Sequence, residues 1–216
     1  MRNEKIFENT EISPRQVLAR IQCTNQEYSS PNSTELLAAP SRPQPAESKN
    51  QPIWTKPPFG TYKVNTDASF SPSLGTAALA MVARDSNGYI CLGMTWSCMA
   101  LSALMPEAAA LLKAVKFVKD MGQQEVIFES DSQTVISGIQ QPTKPLPWEV
   151  KSLLMNIRKL CDSHPGFKFS FVPRDGNRVA DWVLRSSLQG KRPLFWTHRP
   201  PKTLLSTLLS KDVNHT

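Results

Sequence analysis

The chain has 216 residues, 40% hydrophobic and 20% charged, enough for one domain of about 130 to 140 residues with a real core, plus flanking tails. Twenty-five Lys and Arg against 18 Asp and Glu leave a net +7, a mild basicity that suits a polyanionic partner. Cys23, Cys91, Cys98 and Cys161 lack Cys-x-x-Cys or Cys/His ligand spacing, which argues against a zinc module or a disulfide framework, and the absence of a signal or long apolar run predicts a nuclear or cytosolic protein, not secreted and not membrane-bound.

In chain order, the first stretch reads as a tail. ISPRQVLARIQ offers Ser13 as a cap and Pro14, Val17, Leu18 and Ile21 at helical spacing, a short isolated helix. Pro40, Pro43, Pro45, Pro52, Pro57 and Pro58 then mark an extended linker. Residues 1–50 hold six basic and six acidic side chains, so the positive excess belongs to 51–216, where Lys191, Arg192, Arg199 and Lys202 concentrate it. The expected organisation is a largely disordered tail with a short helix over 1–53, a folded domain over 54–190, and a basic tail with a short helix over 191–216.

TYKVNTDASF alternates with period two and predicts a strand over 61–70 with one polar face, and further strands follow at 76–84 and 89–98. RDSNG between the latter two is a hairpin signal. Pro106 opens a predicted helix over 106–121, followed by a strand at 125–130. Helices at 131–140 and 147–162, a strand at 167–173 and a helix at 176–189 complete the series. The entry Ser130-Asp131-Ser132-Gln133 has the form of a capping box. Trp148, Trp182 and Trp196 are expected in the core, with stacking on bases as the alternative use.

Four acids sit where a solvated carboxylate is not expected. Asp67 interrupts the first strand, where Asp is depleted, so it is either an ordinary solvated residue or one compensated by a partner. Glu107 heads the stripe Glu107, Leu111, Ala114 and Val118, although taken alone a first-turn acid complementing the helix dipole fits it better. Asp131 closes a strand, where ligands gather in open α/β sheets, or merely decorates a helix start. Asp181 shares a stripe with Asn177, Leu184 and Leu188, against the alternative of pairing with Arg178 or Arg185. Together the four point to a metal site assembled from distant segments.

The order strand acid, helix acid, post-strand acid, helix acid resembles type 1 ribonuclease H. The likeness runs from about Thr61 to Leu188 and is carried by VNTDASF, ARDSNGYI, PEAAALLKAV, VIFESDSQTVI and NRVADWVLRSSL. It is most similar to the plant branch found in non-LTR retroelements. RNEKIFENTEISPRQVLARIQ resembles the segment that joins their reverse-transcriptase and ribonuclease H parts, and RPPKTLLSTLLSKDV resembles their usual carboxyl end.

The resemblance implies an α/β fold, a mixed five-stranded sheet with its first three strands antiparallel and helices on its faces. It also implies endonucleolytic hydrolysis of the RNA strand of RNA–DNA hybrids by a monomer using two Mg²⁺ ions, with Mn²⁺ as a substitute. Phosphodiester hydrolysis needs an activated water and charge neutralisation at the leaving oxygen, which a pair of ions supplies, and hard oxygen ligands suit Mg²⁺. By the same resemblance the catalytic and metal-binding residues are Asp67, bridging both ions, Glu107 and Asp131, completing one site, and Asp181, holding the other. Asn177, Ser69 and Arg174 would meet substrate, and Asn65 and Ser132 are further candidates for reading 2′-hydroxyls.

Two departures stand out. Many relatives carry a histidine in the loop before the last helix, where this chain has Phe171, Arg174 and Asn177; His164, His198 and His215 do not match it, which predicts slow turnover. Ala68 stands where relatives often have glycine. Related nucleases fit less well: proofreading-type exonucleases carry Asp-x-Glu where Asp67, Ala68 and Ser69 stand, and transposase relatives end on glutamate, not aspartate. The alternatives to an active enzyme are a catalytically weak or idle nucleic-acid-binding module and a retroelement remnant.

Overall fold

A computed structural model of the chain describes residues 54–190, 195–197 and 204. The readings made for residues 1–53, including the helix after Ser13, and for Lys191, Arg192, Arg199 and Lys202 lie outside the described residues.

Period-two alternation builds β1 (Tyr62–Ser71), β2 (Thr76–Arg84) and β3 (Ile90–Met99) into an antiparallel meander. In the β2–β3 turn, Asp85 Oδ1 accepts the N–H groups of Asn87 and Tyr89, each at 2.9 Å, and Gly88 takes φ +85°, so the RDSNG signal acts as expected. Helix α1 (Leu104–Asp120) leads to β4 (Val126–Ser130), which lies parallel to β1. Helices α2 (Gln133–Gln140) and α3 (Trp148–Cys161) precede β5 (Phe167–Phe171), parallel to β4, and a short 3₁₀ turn at Arg174–Gly176 enters α4 (Arg178–Gly190). With β6 (Phe195–Thr197) included, the strand order is β5-β4-β1-β2-β3-β6. The five expected strands are thus joined by a sixth, Phe195–Thr197, which pairs with β3 from within the segment read as a tail.

Helices cover both faces. On one, Val64, Met81, Leu92 and Phe128 pack against Leu111 and Val115 of α1, Ile136 of α2 and Leu154 and Ile157 of α3. On the other, Ala80, Val82 and Ile90 pack against Val179, Val183 and Leu184 of α4. Gly138 lets α2 approach α3 closely, since a Cβ there would stand 2.7 Å from Leu154 Cδ1.

Several local expectations are corrected. Helix α1 begins at Leu104, so Pro106 is its third residue and not its first, still within the turn whose N–H groups need no intrahelical partner. The capping box does not form: Ser132 is the N-cap of α2 without a side-chain bond, and Ser130 Oγ instead accepts the Ser132 N–H at 3.1 Å. Leu188 is half exposed because the apolar stripe of α4 ends a turn earlier. Trp182 and Trp196 pack against the α4-side core, whereas Trp148, expected inside, starts α3 at 76% exposure.

The polar face of β1 is covered, not solvated. Asn65 and Asp67 lie opposite Val82 and Ala80, which places them on the α4 side of the sheet, and Lys63, Asn65 and Asp67 are all buried. Lys63 Nζ pairs with Glu129 Oε1 of β4 at 2.9 Å and also reaches the Thr55 carbonyl. Asn65 Nδ2 donates to Glu129 Oε2 at 2.9 Å, while Asn65 Oδ1 accepts the Trp54 indole N–H at 3.1 Å. Arg84 stacks its guanidinium 4.0 Å from the Trp54 ring. This network fixes the β1–β4 register two residues before Asp67 and Asp131.

Candidate metal centre

The acids converge where β1, α1 and the end of β4 meet. Asp67 is held by β1; Glu107 projects from the first turn of α1; Asp131 follows the last residue of β4. One carboxylate oxygen from each of Asp67, Glu107 and Asp131 lies within 4.8 Å of the others. Residues 64 positions apart in sequence therefore sit side by side because β1 and β4 run parallel in fixed register.

Burial makes this grouping costly. It is the chief cause that pushes the Asp67 carboxyl up to about 7, with the neighbouring Asp131 and Asp181 charges adding to it and the Ala68 N–H and Arg174 opposing. Glu107 is pushed up to about 9, again chiefly by burial and then by Asp67 and Asp131. Asp131 is raised by burial, against its own backbone N–H, Arg174 and the Asn177 amide. Asp67 Oδ1 accepts the Ala68 N–H at 2.9 Å, but Glu107 Oε2 is buried with no hydrogen-bond partner among the described residues. An orphaned buried carboxylate oxygen facing two other acids fits a hard cation, which would supply the missing positive charge.

The fourth acid is near but differently engaged. Asp181, on the first turn of α4, raises both Asp67 and Asp131 by its charge, yet its Oδ1 accepts Arg185 Nε at 2.8 Å. The structure therefore groups three of the four acids and turns the fourth toward a partially exposed i,i+4 pair. Arg174 is exposed on the 3₁₀ turn, and its positive charge lowers all three clustered acids. Ser69 lies half-buried on β1, two positions beyond Asp67 and on the same face.

Asn177 and Asn65 are both buried beside the acids. Asn177 is 1% exposed; its Nδ2 donates to the Thr66 carbonyl at 2.9 Å, and its own carbonyl accepts the Asp181 N–H, so it ties the start of α4 to β1. Asn65 is fully buried in the Glu129 network. Ser132 caps α2 beside Asp131. His164 is remote: its Nδ1 meets the Leu160 carbonyl at 3.0 Å and its ring lies on Phe167. His198 and His215 are outside the described residues.

Lys63 and Glu129 were passed over in the sequence. The signal that could have found them is that VIFES and YKVN are both apolar strands interrupted by one charge, of opposite sign, and parallel neighbours can pair such charges.

A family profile described as reverse transcriptase-like matches residues 65–187. A comparison with curated proteins finds no significant match. Among solved structures, the chain is similar to ribonuclease H1 of the halophilic archaeon Halobacterium salinarum, at 21% identity and TM-score 0.56 over 61% of this chain and 99% of that one. A ribonuclease H1 isolated from compost by a metagenomic approach gives 20% identity and TM-score 0.56 over 62% and 99%. The compost enzyme in complex with an RNA/DNA hybrid gives 20% and 0.54 over 60% and 98%. At these identities the likeness shows a ribonuclease H-like fold.

Proposed function

The chain belongs to the reverse transcriptase-like family, and from that premise we propose that it hydrolyses the RNA strand of RNA–DNA hybrids endonucleolytically with two divalent cations, Mg²⁺ or Mn²⁺. The observation that carries the proposal is the carboxylate group itself: three acids from separate segments within 4.8 Å, one with an orphaned buried oxygen and two with strongly raised proton affinity. Burial that expensive is retained where something binds. Support for the substrate comes from the compost ribonuclease, which shares the fold and was solved with an RNA/DNA hybrid.

Asp67, Glu107 and Asp131 would hold the ions, with Asp181 joining once its oxygen leaves Arg185. Bound there, the ions supply an activated water and neutralise charge at the leaving oxygen. The chain's own groups do the rest. Arg174 offers a planar donor fork to a phosphate beside the cluster, and Ser69 offers a small hydroxyl on the same face. Asn177 keeps α4, and so Asp181, against β1. No histidine of the described residues lies at the site, so the proton for the leaving oxygen comes from solvent, and turnover is slow.

The finer reading, descent from the ribonuclease H part of a plant non-LTR retroelement, rests on the sequence resemblance and on the family description. A second reading, binding without cleavage, draws on Asp181 being engaged by Arg185. One assay separates them: a labelled RNA–DNA hybrid incubated with the protein in Mg²⁺ or Mn²⁺, beside Asp131→Asn. Cleavage lost in the variant supports the enzyme; salt-sensitive binding with no cleavage in either protein refutes it in favour of the module.

A further inference from the structure

Away from the carboxylates, the C-terminal halves of α1 and α3 form an open groove of about 280 Å³ lined by Lys116 and Lys119 from α1, Asn156, Lys159 and Leu160 from α3, and Ser163 just beyond. Three ammonium groups face one hollow whose lining contains no carboxylate. None of the three makes a hydrogen bond or ion pair with a described residue. Lys119 and Lys159 stand in the last turns of their helices, where a cation complements the helix dipole. That accounts for two charges, but not for Lys116 a turn earlier, nor for the polar Asn156 in the same lining.

Lysine offers donors and no acceptor, and Asn156 can add an N–H, which is the donor set that recognises an oxyanion; the Ser163 hydroxyl is already donated to the Leu160 carbonyl at 3.2 Å. We propose that this groove binds backbone phosphates of a nucleic-acid strand lying beyond the carboxylate site, an inference that rests on the nucleic-acid reading of that site. Glu107 opens the same helix, and Lys116 and Lys119 follow about 14 and 18 Å along it at about 1.5 Å of rise per residue. That offset equals about four or five nucleotide steps of roughly 3.4 Å. A strand is favoured over a lone phosphate because exposed ammonium groups hold a single ion weakly, whereas a polyanion releases several counterions at once.

The test compares two variants that each lose two charges, Lys116→Gln/Lys159→Gln in the groove and Lys56→Gln/Lys168→Gln at exposed positions outside it. Glutamine preserves helix propensity. Affinity for an RNA–DNA hybrid of about 20 pairs is measured in EDTA across a salt series. The groove variant is expected to bind about tenfold or more weakly at low salt, with the slope of log affinity against log salt reduced by about 2, and the control variant to lose clearly less. Equal loss in both variants, or no loss in the groove variant, overturns the proposal. So does a difference between the variants that inorganic phosphate erases when sulfate-free salt of equal ionic strength does not, since the occupant is then a lone anion. Cleavage is not read, so a protein that binds hybrid and leaves it intact would refute the proposed activity and leave the groove standing.

Discussion

Two sets of buried charge lie on the same pair of parallel strands, two residues apart, and the chain treats them in opposite ways. At Glu129, Lys63 Nζ and Asn65 Nδ2 each arrive at 2.9 Å, Trp54 closes over Asn65, and every charge has a partner. At Asp67 and Asp131, the next positions along the strands on the same face, Glu107 is added instead of a lysine, and no described cation comes within ion-pair distance of the three. The first arrangement is self-sufficient. The second is complete only with positive charge from outside, and the contrast shows that burial alone does not explain the missing partner, because the fold supplies one a single pleat away.

The comparison breaks most sharply at the chemistry. Asp67→Asn is expected to lower hybrid cleavage about a thousandfold or more, measured under single-turnover conditions, because carboxylates acting on shared ions behave as a unit. Lys63→Met, by contrast, touches no proposed ligand and should act through stability. Leaving Glu129 buried and unpaired costs about 3 to 5 kcal/mol, read as a lowered denaturant midpoint. Neutralising the acidic cluster should do the reverse: in EDTA at pH 8, Asp67→Asn is expected to be more stable than the wild type by about 1 to 3 kcal/mol. If both substitutions destabilise alike, the two charge sets are not different in kind.

The pH dependence sharpens the same point. Asp67 and Glu107 have folded values of about 7 and about 9, above their ordinary ones, so folding favours their protonated forms. Their contribution is full below about pH 4 and is lost as pH rises toward 9, so the midpoint of the metal-free protein should fall across that window. Glu107→Gln should flatten the upper part of the fall, between about pH 7 and 9. The smallest effect is expected at Arg185→Ala, which releases Asp181 from a largely exposed pair: stability should change by less than about 1 kcal/mol, while the affinity for Mn²⁺, measured by titration calorimetry, rises a few-fold.

Much of this was legible in the chain. The alternation around Asp67, the hairpin at Asp85–Gly88 and the stripe of α1 are local patterns, and local periodicity survives folding when the same face stays buried. What escaped depends on contacts between distant segments. The polar side of β1 could be read as solvated or as compensated by a partner, because nothing local shows that α4, Trp54 and Glu129 cover it. Trp148 looked like core by residue type, yet it opens α3 where Val150, Leu154 and Ile157 already supply the buried stripe. Strand β6 is three residues long, too short for any periodicity to declare it. At the site, the acids were readable as convergent because Asp67 interrupts a strand, Glu107 and Asp181 fall on apolar helix stripes, and Asp131 follows a strand end. The Asp181–Arg185 pair was visible only as one of two alternatives, since i,i+4 spacing permits the contact without requiring it.

The most direct measurement is thermal unfolding with and without Mn²⁺, for the wild type beside Asp67→Asn. An ion held by the cluster at about a hundred times its dissociation constant should stabilise the wild type by about 2.7 kcal/mol and leave the variant nearly unmoved. Equal shifts in the two proteins, or none in the wild type, would contradict a cation site built on these carboxylates.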